Sequence, residues 1–191
     1  MSTQNPSAAH EAAVFIDLES LGNFPTKRQQ RYYEDIFKVI DALPGIVARY
    51  GFTPSDYWAV ARAFREKNNH LGKYFLPKIY PHEQQKLSEK LSSRNVTVSW
   101  CKEVIADLAL IAEVERRLKE KSLPECIVFV TNDGDFAALG QKIANTGRFV
   151  VVVGYNHSRR WKPVTSAIHA IHDILGEPFP QEMGRWRPPQ T

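Results

Sequence analysis

Two cysteines among 191 residues, Cys101 and Cys126, exclude a disulfide framework, and their separation matches no metal-ligand spacing. Both lie in apolar stretches and read as buried free thiols in a reducing compartment. Long hydrophobic runs are missing too. The most continuous one, Phe149 to Val153, falls far short of the ~20 residues that span a bilayer. The opening residues, MSTQNPSAAHEAA, lack a positive region followed by an apolar one, which argues against a signal peptide and for a cytoplasmic protein. There is no glycine-rich phosphate loop, no Ser-His-Asp arrangement, no heptad array and no internal repeat. Six histidines form no ligand set: His169 and His172 stand three apart on an expected helix without a third partner.

What remains is an ordinary globular balance, 43% apolar and 24% charged, in a chain long enough for one domain with a sizeable core. A net charge of +4 permits a polyanionic partner without requiring one. Residues 1–12 are small and polar and read as a loose leader; the domain runs from 13 to 176, and the proline-rich residues 177–191 form an irregular tail. Ala13–Ile16 is a short apolar strand running into Asp17. Helical spacing follows over 27–42, stopped by Pro44-Gly45, then a strand over 56–64 and an irregular stretch over 65–80. Pro81 opens a helix to about Ser93, Asn95–Trp100 is a β-branched strand, and 103–121 is an amphipathic helix with Val104, Leu108, Ile111, Val114 and Leu118 on one face. Cys126–Val130 is a strand, 135–146 a helix, Phe149–Val153 a strand and 165–175 a last helix. Alternating strands and helices with unbroken apolar strands predict an α/β fold, a mostly parallel sheet covered on both faces.

Acidic residues fall where such a sheet brings its loops together. Asp17 ends the first strand, Asp133 and Asp135 follow the Cys126–Val130 strand, and Asp107 lies early in the helix after the Asn95–Trp100 strand. Ligands of open α/β sheets bind beyond the carboxyl ends of the strands, where the strand order reverses. Each acid alone has a plainer reading: Asp17 as a turn residue, Asp133-Gly-Asp135 as a turn and helix cap, Asp107 as a complement to the helix dipole. Together they repel one another, by about 4 kcal/mol for two charges ~4 Å apart at an effective dielectric near ~20. A hard divalent cation with oxygen ligands, Mg²⁺ or Mn²⁺, offsets that cost and suits attack of water on a phosphoryl group.

Three stretches then resemble a known family. Val14-Phe-Ile-Asp17, the Lys102–Glu113 segment with Asp107 and Glu113, and Thr131-Asn-Asp133-Gly-Asp135-Phe are similar to the NYN (LabA-like) branch of the PIN-like nucleases. Gln141 to Val153 continues the last element in register, so the resemblance runs from about residue 13 to 175. It implies a PIN-like three-layer sandwich, Mg²⁺ or Mn²⁺ at the acidic cluster, and RNA, single-stranded, as substrate. Carried over by position, Asp17, Asp107, Asp133 and Asp135 are the catalytic and metal-holding residues, with Glu113 as the second helix acid and Thr131 as the small hydroxyl. Ser20 stands where the family commonly has asparagine, and Asn23 lies three residues further on.

A nuclease needs cations along the nucleic-acid backbone. Arg62 and Arg65 near the second strand, and Arg159, Arg160 and Lys162 after the last, are the candidates for binding RNA; a solvated charged surface is the alternative for each group. Trp161 among them reads equally as a packing residue beneath the last helix. The first expectation is a metal-dependent ribonuclease, with Thr131 and Ser20 orienting water or phosphate, and homo-oligomerisation left open. The second is a catalytically weak or inactive module that binds RNA or a protein partner, motivated by Ser20. A third, a haloacid-dehalogenase-like phosphatase, rests on Asp17-Leu-Glu19 and a late Asp-Gly-Asp, but that class expects aspartate where Glu19 stands.

Overall fold

The computed structural model describes residues 10–19, 32–62, 81–101, 105–154 and 159–176. Within them six strands form one sheet: β1 (His10–Asp17), β2 (Phe52–Arg62), β3 (Val96–Cys101), β4 (Cys126–Val130), β5 (Phe149–Gly154) and β6 (Ala167–Ala170). Their spatial order is β3-β2-β1-β4-β5-β6, and every pairing is parallel. Five helices accompany them: α1 (Tyr32–Ala48), α2 (Pro81–Ser92), α3 (Ala106–Lys119), α4 (Ala137–Ala144) and α5 (Ile171–Leu175). The architecture is the expected α/β class, a three-layer sandwich whose described strands are all parallel. No helix among the described residues is long and apolar enough to cross a membrane.

Alternate side chains of each strand feed opposite layers, as the two-residue period of a strand requires. Val14, Ile16, Val128, Val130, Val151 and Val153 face α1, α2 and α5 in one core. Phe15, Ile127, Phe129, Val150 and Val152 face α3, α4 and Trp161 in the other. Ala12–Ile16 of β1 and the whole of β4 are thus apolar on both faces, which is why these stretches run without polar interruption. α1 and α2 connect strands on one side of β1; α3 crosses the opposite face to start β4 on the other side.

Several boundaries differ from those the sequence suggests. β1 starts at His10, paired with Phe52, so residues 10–12 belong to the sheet and not to the leader. α1 does not stop at Pro44-Gly45 but continues to Ala48. Proline there removes the hydrogen bond to the carbonyl of Ile40 and costs about 3 kcal/mol, and burial of Leu43, Ile46 and Val47 offsets it. Residues 165–175 are not one helix. Ala167–Ala170 pairs with the outer edge of β5, anchored by the Ser166 amide on the Val150 carbonyl at 2.8 Å, and only five helical residues follow. The apolar spacing of Ile168, Ile171 and Leu175 suits a helix, but the open edge of β5 offers backbone partners that a helix would leave unused. On α3 the buried line is Ala106, Leu110 and Val114, while Leu108 is 54% exposed. Residues 135–146 begin as a 3-10 turn, Gly134–Phe136, before α4.

Candidate active site at the switch point of the sheet

The strand order reverses between β1 and β4, and the site grows from that seam. Ile16 lies beside Val130 in the register, so Asp17 and Thr131 emerge side by side at the carboxyl edge. Asp17 is 1% exposed, a depth at which an aspartate needs hydrogen-bond donors. The Thr131 hydroxyl donates to its Oδ2 at 3.1 Å, and the Glu19 amide donates to its Oδ1 at 3.1 Å. The same Thr131 oxygen accepts from the Asp133 amide at 3.0 Å. One buried hydroxyl therefore ties the end of β1 to the acidic turn after β4. The Thr131 hydroxyl, expected to orient water or phosphate, thus donates to one acid and accepts from the main chain of another.

The turn is held from below as well. Asp133 Oδ1 accepts from the Asp135 amide at 2.8 Å, capping the 3-10 turn. The indole N–H of Trp161 donates to the Asp133 carbonyl at 3.0 Å. Trp161 is 1% exposed and lies against Phe129 at 5.5 Å between centroids and against Gly140, where a Cβ would come within 2.6 Å of its ring. Gly154, at the end of β5, leaves the room that the Thr131 carbonyl and the Asn132 side chain occupy. Asp135, on the exposed side, pairs with Arg160, and both border a shallow depression that also involves Gly134, Gln141 and Val164.

Asp107 enters from the first turn of α3. Its carboxyl is held above the ordinary range, first by burial, then by repulsion from Asp133 and Asp135, with Arg62 opposing the shift. Glu19 is raised likewise, by burial first; Arg62 opposes this, and Asp17 and Asp107 add to it. These mutual effects bring Asp17, Glu19, Asp107, Asp133 and Asp135 into one electrostatic neighbourhood. Like charges crowded together favour whatever neutralises them.

A carboxyl raised in the folded chain binds its proton more tightly there than in the unfolded chain. The stability linked to it is present below the ordinary value of 3.8 and is lost as pH rises from there through the folded value. Asp107→Asn is accordingly expected to raise the melting temperature of the metal-free protein at pH 7, by an increment on the order of 1–2 °C because the group is half exposed. The gain should vanish at pH 3, and thermal melts at the two pH values check it. A lowered melting temperature at pH 7 would assign Asp107 to helix stabilisation instead.

Arg62, expected to meet RNA, is engaged within the cluster. Its Nε lies 3.0 Å from Glu19 Oε2, and its main-chain N–H donates to Glu19 Oε1 at 2.6 Å. Arg159 and Lys162 are exposed. Glu113 does not join the other acids. It accepts from Arg116 at 2.8 Å and from Arg117 at 2.6 Å, and Arg117 also pairs with Asp56 and lies over the Phe15 ring, an ion-pair network bracing α3 on β1 and β2. Ser20, Asn23, Arg65 and Lys102 lie outside the described residues. Glu19 and Trp161 are the residues sequence reasoning placed least well. The Asp-x-Glu spacing after β1 was the available signal for Glu19; nothing local distinguishes a tryptophan that braces a turn from one beneath a helix.

The donor set is all oxygen, which suits a hard divalent cation. Among the described residues no three His, Cys, Asp or Glu side chains close on a common point that could hold an ion.

No family model matches the chain, and no curated protein does. Among solved structures it is similar to a protein of unknown function from Vibrio parahaemolyticus, with 15% identity, a TM-score of 0.57, and 90% of this chain and 98% of that one covered. At that identity the likeness is one of fold alone. A pyrazinamidase/nicotinamidase from Streptococcus mutans (15% identity, 87% and 98% covered) and an isochorismatase-like hydrolase from Alkaliphilus metalliredigens (14%, 88% and 99%) align with TM-scores of 0.38 and 0.37, too low to carry an argument about this site.

Proposed function

We propose that the chain is a hydrolase of the NYN, PIN-like kind, a metal-dependent ribonuclease cutting phosphodiester bonds of single-stranded RNA in the cytoplasm. The observation that carries this reading is the linkage Asp17–Thr131–Asp133 at the switch point. Residues 114 positions apart are joined through one buried hydroxyl, and the charges of Asp133 and Asp135 act on Asp107 as those of Asp17 and Asp107 act on Glu19. Their types and order are those for which the sequence resembles the NYN branch.

Asp17, Asp107, Asp133 and Asp135 would hold Mg²⁺ or Mn²⁺, which would polarise a phosphoryl oxygen and make water a better nucleophile at neutral pH. The chain supplies the rest. Thr131 and the Glu19 amide fix the Asp17 carboxylate in one orientation, so no rotamer search is left at the moment of binding. Trp161 and the Asp133 cap keep the acidic turn from fraying. Exposed Arg159 and Lys162 beside the turn suit contact with the RNA backbone.

The test is cleavage of an end-labelled single-stranded RNA by the purified protein with Mn²⁺ or Mg²⁺, against a chelated control. Fragments that appear with either ion and disappear on chelation are expected. Salt-dependent binding without turnover at any divalent ion would replace this reading with the non-catalytic RNA-binding module.

A further inference from the structure

The Glu19–Arg62 pair has a geometry that simple charge neutralisation does not require. Glu19 grips Arg62 twice, through the main-chain N–H at 2.6 Å and through Nε at 3.0 Å. The Glu19 side chain is nearly buried, while that of Arg62 is 51% exposed. Nε is ion-paired with Glu19, the hydrogen bond to Glu19 running through the main chain, and among the described residues no hydrogen bond engages the two terminal amino groups, Nη1 and Nη2. Val60 is level with Asp17 in the β1–β2 register, so Arg62 stands just beyond Asp17 at the carboxyl edge, and its charge is felt at Asp107. A half-exposed guanidinium paired through Nε still presents two parallel N–H donors, on Nη1 and Nη2, spaced for a pair of phosphoryl oxygens.

We propose that Glu19 and Arg62 form a phosphate clamp: Glu19 is a positioning residue that aims Arg62, and Nη1 and Nη2 of Arg62 hold non-bridging oxygens of the phosphodiester at the crevice. This rests on the nuclease reading and assigns the group that would stabilise charge building up on the phosphoryl oxygens. A lysine would keep the charge but lose both the Nε anchor and the paired donors.

The experiment uses Glu19→Ala, Arg62→Ala, Arg62→Lys and the Glu19→Ala/Arg62→Ala double variant of the full chain, with two readouts. In Mn²⁺-dependent cleavage of single-stranded RNA, Arg62→Lys is expected to lower kcat about 100-fold with little change in KM. Glu19→Ala should lower kcat roughly tenfold in the wild-type background and no further in the Arg62→Ala background. Wild-type kcat in Arg62→Lys, or an equal loss from Glu19→Ala in both backgrounds, overturns the proposal. In the second readout a fluorescent 12-mer RNA is titrated without metal. There Arg62→Ala should weaken binding and reduce the salt slope by about one phosphate contact, and Arg62→Lys should keep the slope. If the wild type cleaves no RNA with either ion, the nuclease reading fails, yet this binding arm still decides the clamp: unchanged affinity and slope in Arg62→Ala overturn it.

Discussion

Asp133→Asn is expected to lower metal-dependent RNA cleavage by about 10³-fold, ~4 kcal/mol of barrier, without unfolding the protein. Asparagine caps a helical turn as well as aspartate does, so the hydrogen bond from the Asp135 amide survives. The main-chain links of residue 133, to the Thr131 hydroxyl and the Trp161 indole, do not depend on its side chain. What the substitution removes is one negative charge from the crevice. A variant with wild-type melting temperature and no activity separates a ligand of the ion from a mere cap; retained activity would reduce Asp133 to its capping role. Asp17→Asn should behave alike in activity. Its amide oxygen can still accept from the Glu19 amide, and its NH₂ can donate to a Thr131 hydroxyl that turns to accept.

Trp161→Ala carries the largest expected effect on stability. The ring is one of the largest fully buried side chains, wedged between Phe129 and Gly140, and its N–H satisfies the Asp133 carbonyl. Removing it leaves a cavity in the α4 side of the core and an unpaired carbonyl under the acidic turn, a loss of about 3–5 kcal/mol. Denaturant titration measures it. Trp161→Phe isolates the hydrogen bond, because it keeps most of the volume. It should cost only about 1–2 kcal/mol yet still reduce cleavage, since the turn loses its strut. Full activity in the phenylalanine variant would confine Trp161 to packing.

The sheet was legible because β1, β4 and β5 are apolar on both faces, a pattern that little else in a chain of this size produces. The meeting of Asp17 with the Thr131–Asp133 turn was legible because a parallel sheet returns every loop to one edge, so position along the strands predicts proximity across 114 residues of chain. β6 was not, since four half-buried residues with helical spacing become a strand only when β5 presents its edge. The continuation of α1 past Pro44 was hidden for a related reason: proline's local cost is visible in sequence, whereas the burial of Ile46 and Val47 that offsets it is tertiary. Glu113 misled because its spacing from Asp107 fits the resemblance, while Arg116 and Arg117 claim its carboxylate. Arg62, expected at the RNA backbone, instead meets Glu19, a partner that could not be chosen without the β1–β2 register.

Manganese binding is the most direct check on the whole account. Crystals soaked in Mn²⁺ should give an anomalous peak within coordination distance, ~2.2 Å, of oxygens from Asp17 and from Asp107 or Asp133, with the Asp107 or Asp133 side chain turning toward the fixed Asp17 carboxylate. A protein saturated with Mn²⁺ whose peaks all lie away from Asp17 would contradict it.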